Sequence, residues 1–543
     1  MKKRLLTLSL ILVMTLSACS SPNSQSSRQT PEPTPSNTAG ESVPPASGAP
    51  EANEPDLSEK MTITVTRRGN VRDVSKEDLF APFLEEKFNV VLDITDINAS
   101  DYVTRMNLMF ASGEATDISL AHRPAFMLNE WIQADYLRGF TLEEVQEKLP
   151  NFISHYEADA WPVVWENIVY SDDKSYYLPG RRAQSVNMAW MYREDLFKEY
   201  GLSFPETTDE LFDTLVTLKE KTGKIPLVAA NAGAPIWAFT GLLLPFGIPE
   251  LAASEISYVN PKTGEFVPYA FSTDDFRRHI SFISKLYKND LIWKEFSTGT
   301  VEQANKLQSQ GNHMIMWGYP GKVDTDYNPL SQTENPNASW AWADLMITED
   351  PANGHFFKRE PYFLADGAGF NSEIDEEKVD RLLYMLNWFY SDEGMVFSTY
   401  GIEGATYEKQ GENYVFMDQM RNPTKSEGDI LENYGFLPVA PQHQNQNDYY
   451  QPYLADLANT FIDRENYYFF IKPIQKFTEE ESSELADIET NLSQTLNEFY
   501  SRFIMGQLDV NNDGEWNNYI STMNRLGLEQ VVQIRTDAYN RSK

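Results

Sequence analysis

Apolar and polar positions alternate from Met61 to Thr66, a two-residue period that predicts a strand. Lys76–Phe88 then carries its apolar residues at helical spacing, and Asn89–Ile97 returns to strand character. Val103, Met106, Leu108, Met109 and Phe110 mark a second helix before a short strand at Thr116–Leu120. Strand, helix, strand, helix, strand with short connections predicts a mostly parallel sheet covered by helices. Ligands of such sheets bind at the carboxyl ends of the strands, which directs attention to Arg67, Arg68, His122 and Arg123.

A second α/β pattern runs from about Trp190 to Pro361. A helix opens at Thr208, Ile225–Ala229 reads as a buried strand, and Phe276–Tyr287 has helical apolar spacing. His313–Trp317 is a short apolar strand ending at a Gly-Tyr-Pro-Gly turn. Glu376–Tyr390 is an amphipathic helix. A longer one starts at Thr478, where Thr478 and Glu481 have capping-box spacing, with Leu485, Ile488, Leu492, Leu496, Phe499 and Phe503 along one side. No internal repeat is present.

Size and charge narrow the class. One compact core rarely grows past roughly 250–300 residues, so 543 residues predict two or more lobes. The chain has 45 basic and 80 acidic residues, a formal net charge of −35, which would repel nucleic acid. Its single cysteine excludes a disulfide framework. That cysteine follows Met1-Lys2-Lys3-Arg4 and an apolar run, Leu5–Leu16, shorter than the roughly 20 residues a bilayer span needs. The sequence Leu16-Ser17-Ala18-Cys19 resembles a bacterial lipobox, so residues 1–18 are expected to be a signal peptide and Cys19 a lipidated N-terminus on the outer face of the cell membrane. Residues 19–59, rich in Ser and Pro, are expected to form a disordered stalk.

Catalytic signatures are missing: the chain has no nucleophile elbow, P-loop, dinucleotide fingerprint or zinc-binding His-Glu-x-x-His. One stretch points to calcium. Asp509, Asn511 and Asp513, followed by Gly514, match the first half of an EF-hand loop, but its twelfth position is Ile520 and not a bidentate Glu. The competing reading is a polar turn between helices.

Several long stretches resemble one family, the family 1 extracellular solute-binding lipoproteins of Gram-positive bacteria, which are the sugar-capturing subunits of ABC importers. Ala99–Leu120, Met191–Leu202 with Pro205–Leu211, and Phe282–Phe296 are similar to that family's segments. The most specific piece is Ser391-Asp392-Glu393-Gly394, followed by Tyr400-Gly401-Ile402-Glu403-Gly404 and Tyr407. The resemblance implies a periplasmic-binding-protein-like type II fold, with two discontinuous α/β lobes joined by a hinge that closes around ligand. The boundaries it implies are 60–185 plus about 365–440 for one lobe and 186–364 plus about 441–543 for the other. The chain departs from its relatives before Ile225, where many carry an acidic calcium loop and this one has only Lys221-Thr222-Gly223-Lys224.

Sugar faces stack on aromatic rings, and sugar hydroxyls seek planar polar groups. By resemblance, Trp317 and Trp237 occupy positions of cleft aromatics, and Tyr319 lies beside Trp317. Arg67, His122, Arg123, Arg181 and Arg182 fall on expected cleft loops. If they converge, an acidic sugar is favoured; otherwise they pair with local acids. Glu403 either accepts sugar hydroxyls or caps a turn, and Trp388 reads as core. The expected protein is a lipid-anchored monomer that captures an oligosaccharide and passes it to an ABC permease, with no cofactor. A surface-anchored carbohydrate-active enzyme and a co-receptor of a sensor kinase are the alternatives.

Overall fold

A computed structural model of the chain describes residues 55–68, 76–98, 101–120, 131–154, 164–165, 168–170, 172–181, 188–231, 234–250, 256–358, 363–411, 413–420, 431, 433–436, 461, 464–470, 473 and 475–543. The signal peptide, Cys19, most of the stalk, His122, Arg123 and Arg182 lie outside the described residues.

The principal strands are β1 (Met61–Arg68), β2 (Val90–Ile97), β3 (Ile118–Leu120), β4 (Leu178–Arg181), β5 (Ala189–Arg193), β6 (Ile315–Gly318), β7 (Trp340–Trp342), β8 (His355–Lys358), β9 (Phe363–Phe370) and β10 (Tyr467–Phe470). The principal helices are α1 (Phe80–Phe88), α2 (Tyr102–Ser112), α3 (Thr208–Thr222), α4 (Asp274–Lys288), α5 (Glu376–Phe389), α6 (Asp392–Tyr400), α7 (Glu479–Ile504), α8 (Asp513–Arg525) and α9 (Leu528–Arg541). One five-stranded sheet has the order β2-β1-β3-β9-β4, and a three-stranded sheet has the order β6-β5-β7. Strand β1 pairs in parallel with β2 and β3, as the alternating strand and helix pattern predicts. Strand β9 is antiparallel to both β3 and β4, so the sheet is mixed; its return strand comes from far along the chain.

Local chemistry explains the boundaries. Helix α1 begins at Phe80 and not Lys76, because Asp78 accepts the backbone N–H groups of Phe80 and Ala81 at 3.0 and 2.9 Å. Helix α2 buries Tyr102, Met106 and Phe110, whereas Leu108 faces solvent. Ile225–Ala229 forms only an isolated bridge at Leu227 and no strand, since Pro226 has no N–H to add to a ladder. The capping box at Thr478 is formed and starts α7. Among the described residues, no helix is long and apolar enough to cross a membrane.

Among the described residues, two large apolar cores result, with two smaller clusters beside them. One gathers Ile63 and Val65 of β1, Leu178 of β4, Phe370 of β9, Leu382 and Leu386 of α5, and Phe436. The other gathers Trp190 of β5, Leu211 of α3, Ile283 of α4, Ile315 of β6, Phe357 of β8, Leu492 and Phe503 of α7, and Val531 of α9. The chain passes from the first to the second between β4 and β5, returns between β8 and β9, and crosses to the second again between Phe436 and Phe461. Asp117 ties the first sheet to α5. It accepts from the backbone N–H and hydroxyl of Thr64 at 2.8 and 2.9 Å and from Lys378 at 2.9 Å.

The second core contains a fully buried histidine. His279 Nδ1 donates to the Leu242 carbonyl at 2.8 Å, so its Nε2 is the acceptor for the Tyr500 hydroxyl at 2.9 Å. Burial pushes this imidazole down from 6.5 to about 4, and burial does the same to His313, whose Nδ1 accepts from the Val228 N–H at 2.8 Å. The unfolded chain binds these protons near pH 6.5, while the folded one resists until about pH 4. Stability is therefore complete above pH 6.5 and falls as pH drops through that window, by roughly 3 kcal/mol per histidine. Urea unfolding between pH 7 and pH 4 should show this fall, and His279→Gln should remove about half of the histidine-dependent part. An unchanged pH profile in that variant would refute the assignment.

Candidate functional site

Arg67 stands at the carboxyl end of β1, where the sequence directs attention. The parallel register sets it beside Asp96 of β2, and its Nε lies 2.7 Å from the Asp96 carboxylate. Both side chains are almost entirely buried, at 6% and 10% exposure. The guanidinium thus answers a carboxylate on the neighbouring strand.

Trp317 occupies the second sheet. Register places it directly opposite Trp190, so both indoles share the face of β5 and β6 that meets the second core. The rings meet edge to face, with centroids 5.5 Å apart and planes at 64°. Such a pair contributes about 0.5–1.5 kcal/mol beyond its buried area. Trp190 is fully buried and Trp317 half-buried. Gly241 lies against the Trp317 stem so closely that a Cβ there would come 2.3 Å from Trp317 Cβ. The Trp317 indole N–H donates to the carboxylate of Glu250, a residue only 2% exposed.

Strand β6 ends at Gly318, and Tyr319 beyond it is 45% exposed. The Tyr319 backbone N–H donates to the Tyr327 hydroxyl at 3.3 Å, and burial pushes that phenol up to about 12. Trp237 is half-buried against the second core, in the 3₁₀ segment Pro235–Leu242 that also carries Gly241. Trp317, Tyr319 and the segment bearing Trp237 are therefore neighbours, whereas Arg67 belongs to the other sheet. Arg181 ends β4, next to the passage between the cores. Trp388 packs among Phe83, Phe88, Phe389 and Phe397. Glu403 is exposed on the turn between α6 and Tyr407.

Glu250 is the residue that motif searching misses. Its signal is positional: residues 225–249 carry no charged side chain, and Glu250 closes that stretch. A carboxylate at the end of a long uncharged run is costly to bury without a partner.

The Asp509 loop distributes its oxygens locally. Asp509 accepts from the Asn511 N–H at 3.0 Å, Asn511 from the Ser281 hydroxyl at 3.1 Å, and Asp513 pairs with Arg277 at 2.8 Å. Asn512 caps α8 through the Gly514 and Glu515 N–H groups. This is the geometry of a helix-starting turn. Among the described residues, no group of three or more His, Cys, Asp or Glu is arranged to hold a metal ion.

Comparison with known proteins places this architecture. Residues 72–396 match the model of the bacterial extracellular solute-binding protein family. The chain belongs to that family. Among curated solute-binding and lipoprotein relatives, it is 22% identical over 511 residues to the fructooligosaccharide ABC transporter substrate-binding protein FusA of Streptococcus pneumoniae, covering 86% of this chain and 87% of FusA. It is 20% identical over 336 residues to Lipoprotein LipO of Bacillus subtilis, spanning 60% of this chain and 63% of LipO. The solved structure of alginate-binding protein AlgQ2 superposes with a TM-score of 0.70 at 18% identity, covering 90% of this chain and all of that one. The fold is accordingly that of the solute-binding proteins: periplasmic-binding-protein-like type II, α/β, with two lobes.

Two outcomes test this geometry in a solute-binding protein. Asp96→Asn strips Arg67 of its carboxylate and should lower stability by about 3 kcal/mol in urea unfolding, since breaking a buried pair is costly. A loss below half that value would mean the pair is not closed in solution. Gly241→Ala forces a Cβ into Trp317, so it should displace the indole, change the near-ultraviolet circular dichroism and lower stability by about 1–3 kcal/mol. An unchanged spectrum would show that Trp317 does not rest there.

Proposed function

We propose that the protein is a lipid-anchored binding subunit that captures an oligosaccharide, shuts its lobes over it and delivers it to an ABC permease, without breaking a bond. Family membership together with correspondence over most of FusA, whose name specifies a fructooligosaccharide, carries this reading. The half-buried indole of Trp317 and the exposed ring of Tyr319 supply stacking surface, and Trp237 extends it. The two cores supply the bodies that close, which supports lobe boundaries at 60–185 plus about 365–440 and 186–364 plus about 441–543. The name of LipO, with the Leu16–Cys19 sequence, supports the anchor at Cys19 on the outer face of the membrane. Arg67 already holds Asp96, so an acidic ligand depends on His122, Arg123, Arg181 and Arg182.

A thermal-shift screen against kestose, other neutral oligosaccharides and uronate oligosaccharides tests the proposal. A ligand at 100 times its Kd should stabilise the protein by about 2.7 kcal/mol, and Trp317→Ala should abolish most of that shift. If no oligosaccharide raises Tm, or if incubation releases new reducing ends, the reading fails. A shift with neutral sugars and none with uronates discards the acidic expectation.

A further inference from the structure

We propose that Glu250 is the positioning residue of the ligand platform: its buried carboxylate fixes the Trp317 ring through the indole N–H. This rests on the reading that Trp317 contacts ligand. Three observations converge on one side chain. Gly241 leaves room for the Trp317 stem and would collide with it if it carried a Cβ. Trp190, directly opposite in the register, meets the ring edge-on. Glu250, 2% exposed, accepts the only hydrogen the indole can donate.

An indole held by its stem alone keeps rotational freedom about its side-chain bonds. Adding an acceptor at the pyrrole edge removes that freedom. The consequence is specific to recognition. With its N–H committed to Glu250, Trp317 offers a ligand the face of its ring and no hydrogen bond. It therefore recognises the C–H face of a sugar, while selectivity among hydroxyl patterns comes from other side chains. Because the ring is held before ligand arrives, less ordering entropy is lost on binding.

The test uses the full extracellular chain labelled with 5-fluorotryptophan, with the Trp317 fluorine resonance assigned from Trp317→Phe. Glu250→Met keeps the volume and removes the acceptor; Glu250→Gln keeps a neutral acceptor. The Trp317 resonance should broaden or split in Glu250→Met and stay single in Glu250→Gln, though displaced more than any other tryptophan resonance. Kestose affinity by calorimetry should fall about tenfold or more in Glu250→Met, the worth of a hydrogen bond to a charged group, with substantial rescue in Glu250→Gln. A Trp317 resonance unchanged in Glu250→Met overturns the proposal. If that variant does not fold, a Trp317 resonance unmoved in Glu250→Gln does so. Loss of ring order with undiminished kestose affinity overturns the link to recognition. Failure of the wild-type protein to bind any oligosaccharide refutes the functional reading, and the fluorine spectra still decide whether Glu250 holds the ring.

Discussion

Each of the two apolar cores is assembled from stretches of chain far apart in sequence, and this non-contiguity governs everything else. The five-stranded sheet is incomplete until β9 arrives between β3 and β4, more than 180 residues after β4 ends. The second core needs α7 and α9 from the end of the chain to cover helices and strands laid down near residues 190–360. Neither body can form before the chain has passed to the other and come back.

The same constraint explains which residues carry the family resemblance. Ser391 accepts the Gly394 N–H at 3.2 Å to start α6, and a Cβ on Gly394 would lie 2.1 Å from the Trp388 carbonyl. Gly401 has a φ of +86°, and a Cβ there would meet the Thr406 hydroxyl. These positions demand glycine because backbone or side chain closes on them, whatever ligand is bound. Asp117 likewise joins β1, β3 and α5.

The fold was legible where a local period or a cap decided it: β1, the α1 to β3 alternation, the Thr478 capping box and the apolar side of α7. It was not legible where pairing came from elsewhere. Periodicity cannot announce that β9 runs antiparallel, and an apolar stretch containing Pro226 imitates a strand it cannot complete. The site divides in the same way. Trp317 is conspicuous because it ends an apolar strand before a glycine turn. Arg67 is conspicuous too, but its partner Asp96 lies on another strand, and only the parallel register joins them. A strand-end arginine looks available for ligand until its sheet neighbour is known.

Glu250 shows the converse case, a residue silent in sequence and prominent in structure. Continuum arguments and exchange of buried ion pairs for hydrophobic residues both indicate that a buried carboxylate adds little to stability over an apolar side chain of equal size. The contact of this glutamate, 2% exposed, with the Trp317 indole bears on orientation: an apolar neighbour would pack the ring without choosing its rotation, whereas an acceptor chooses one. On the proposed reading, the ring is held before ligand arrives, and binding adds the contact itself.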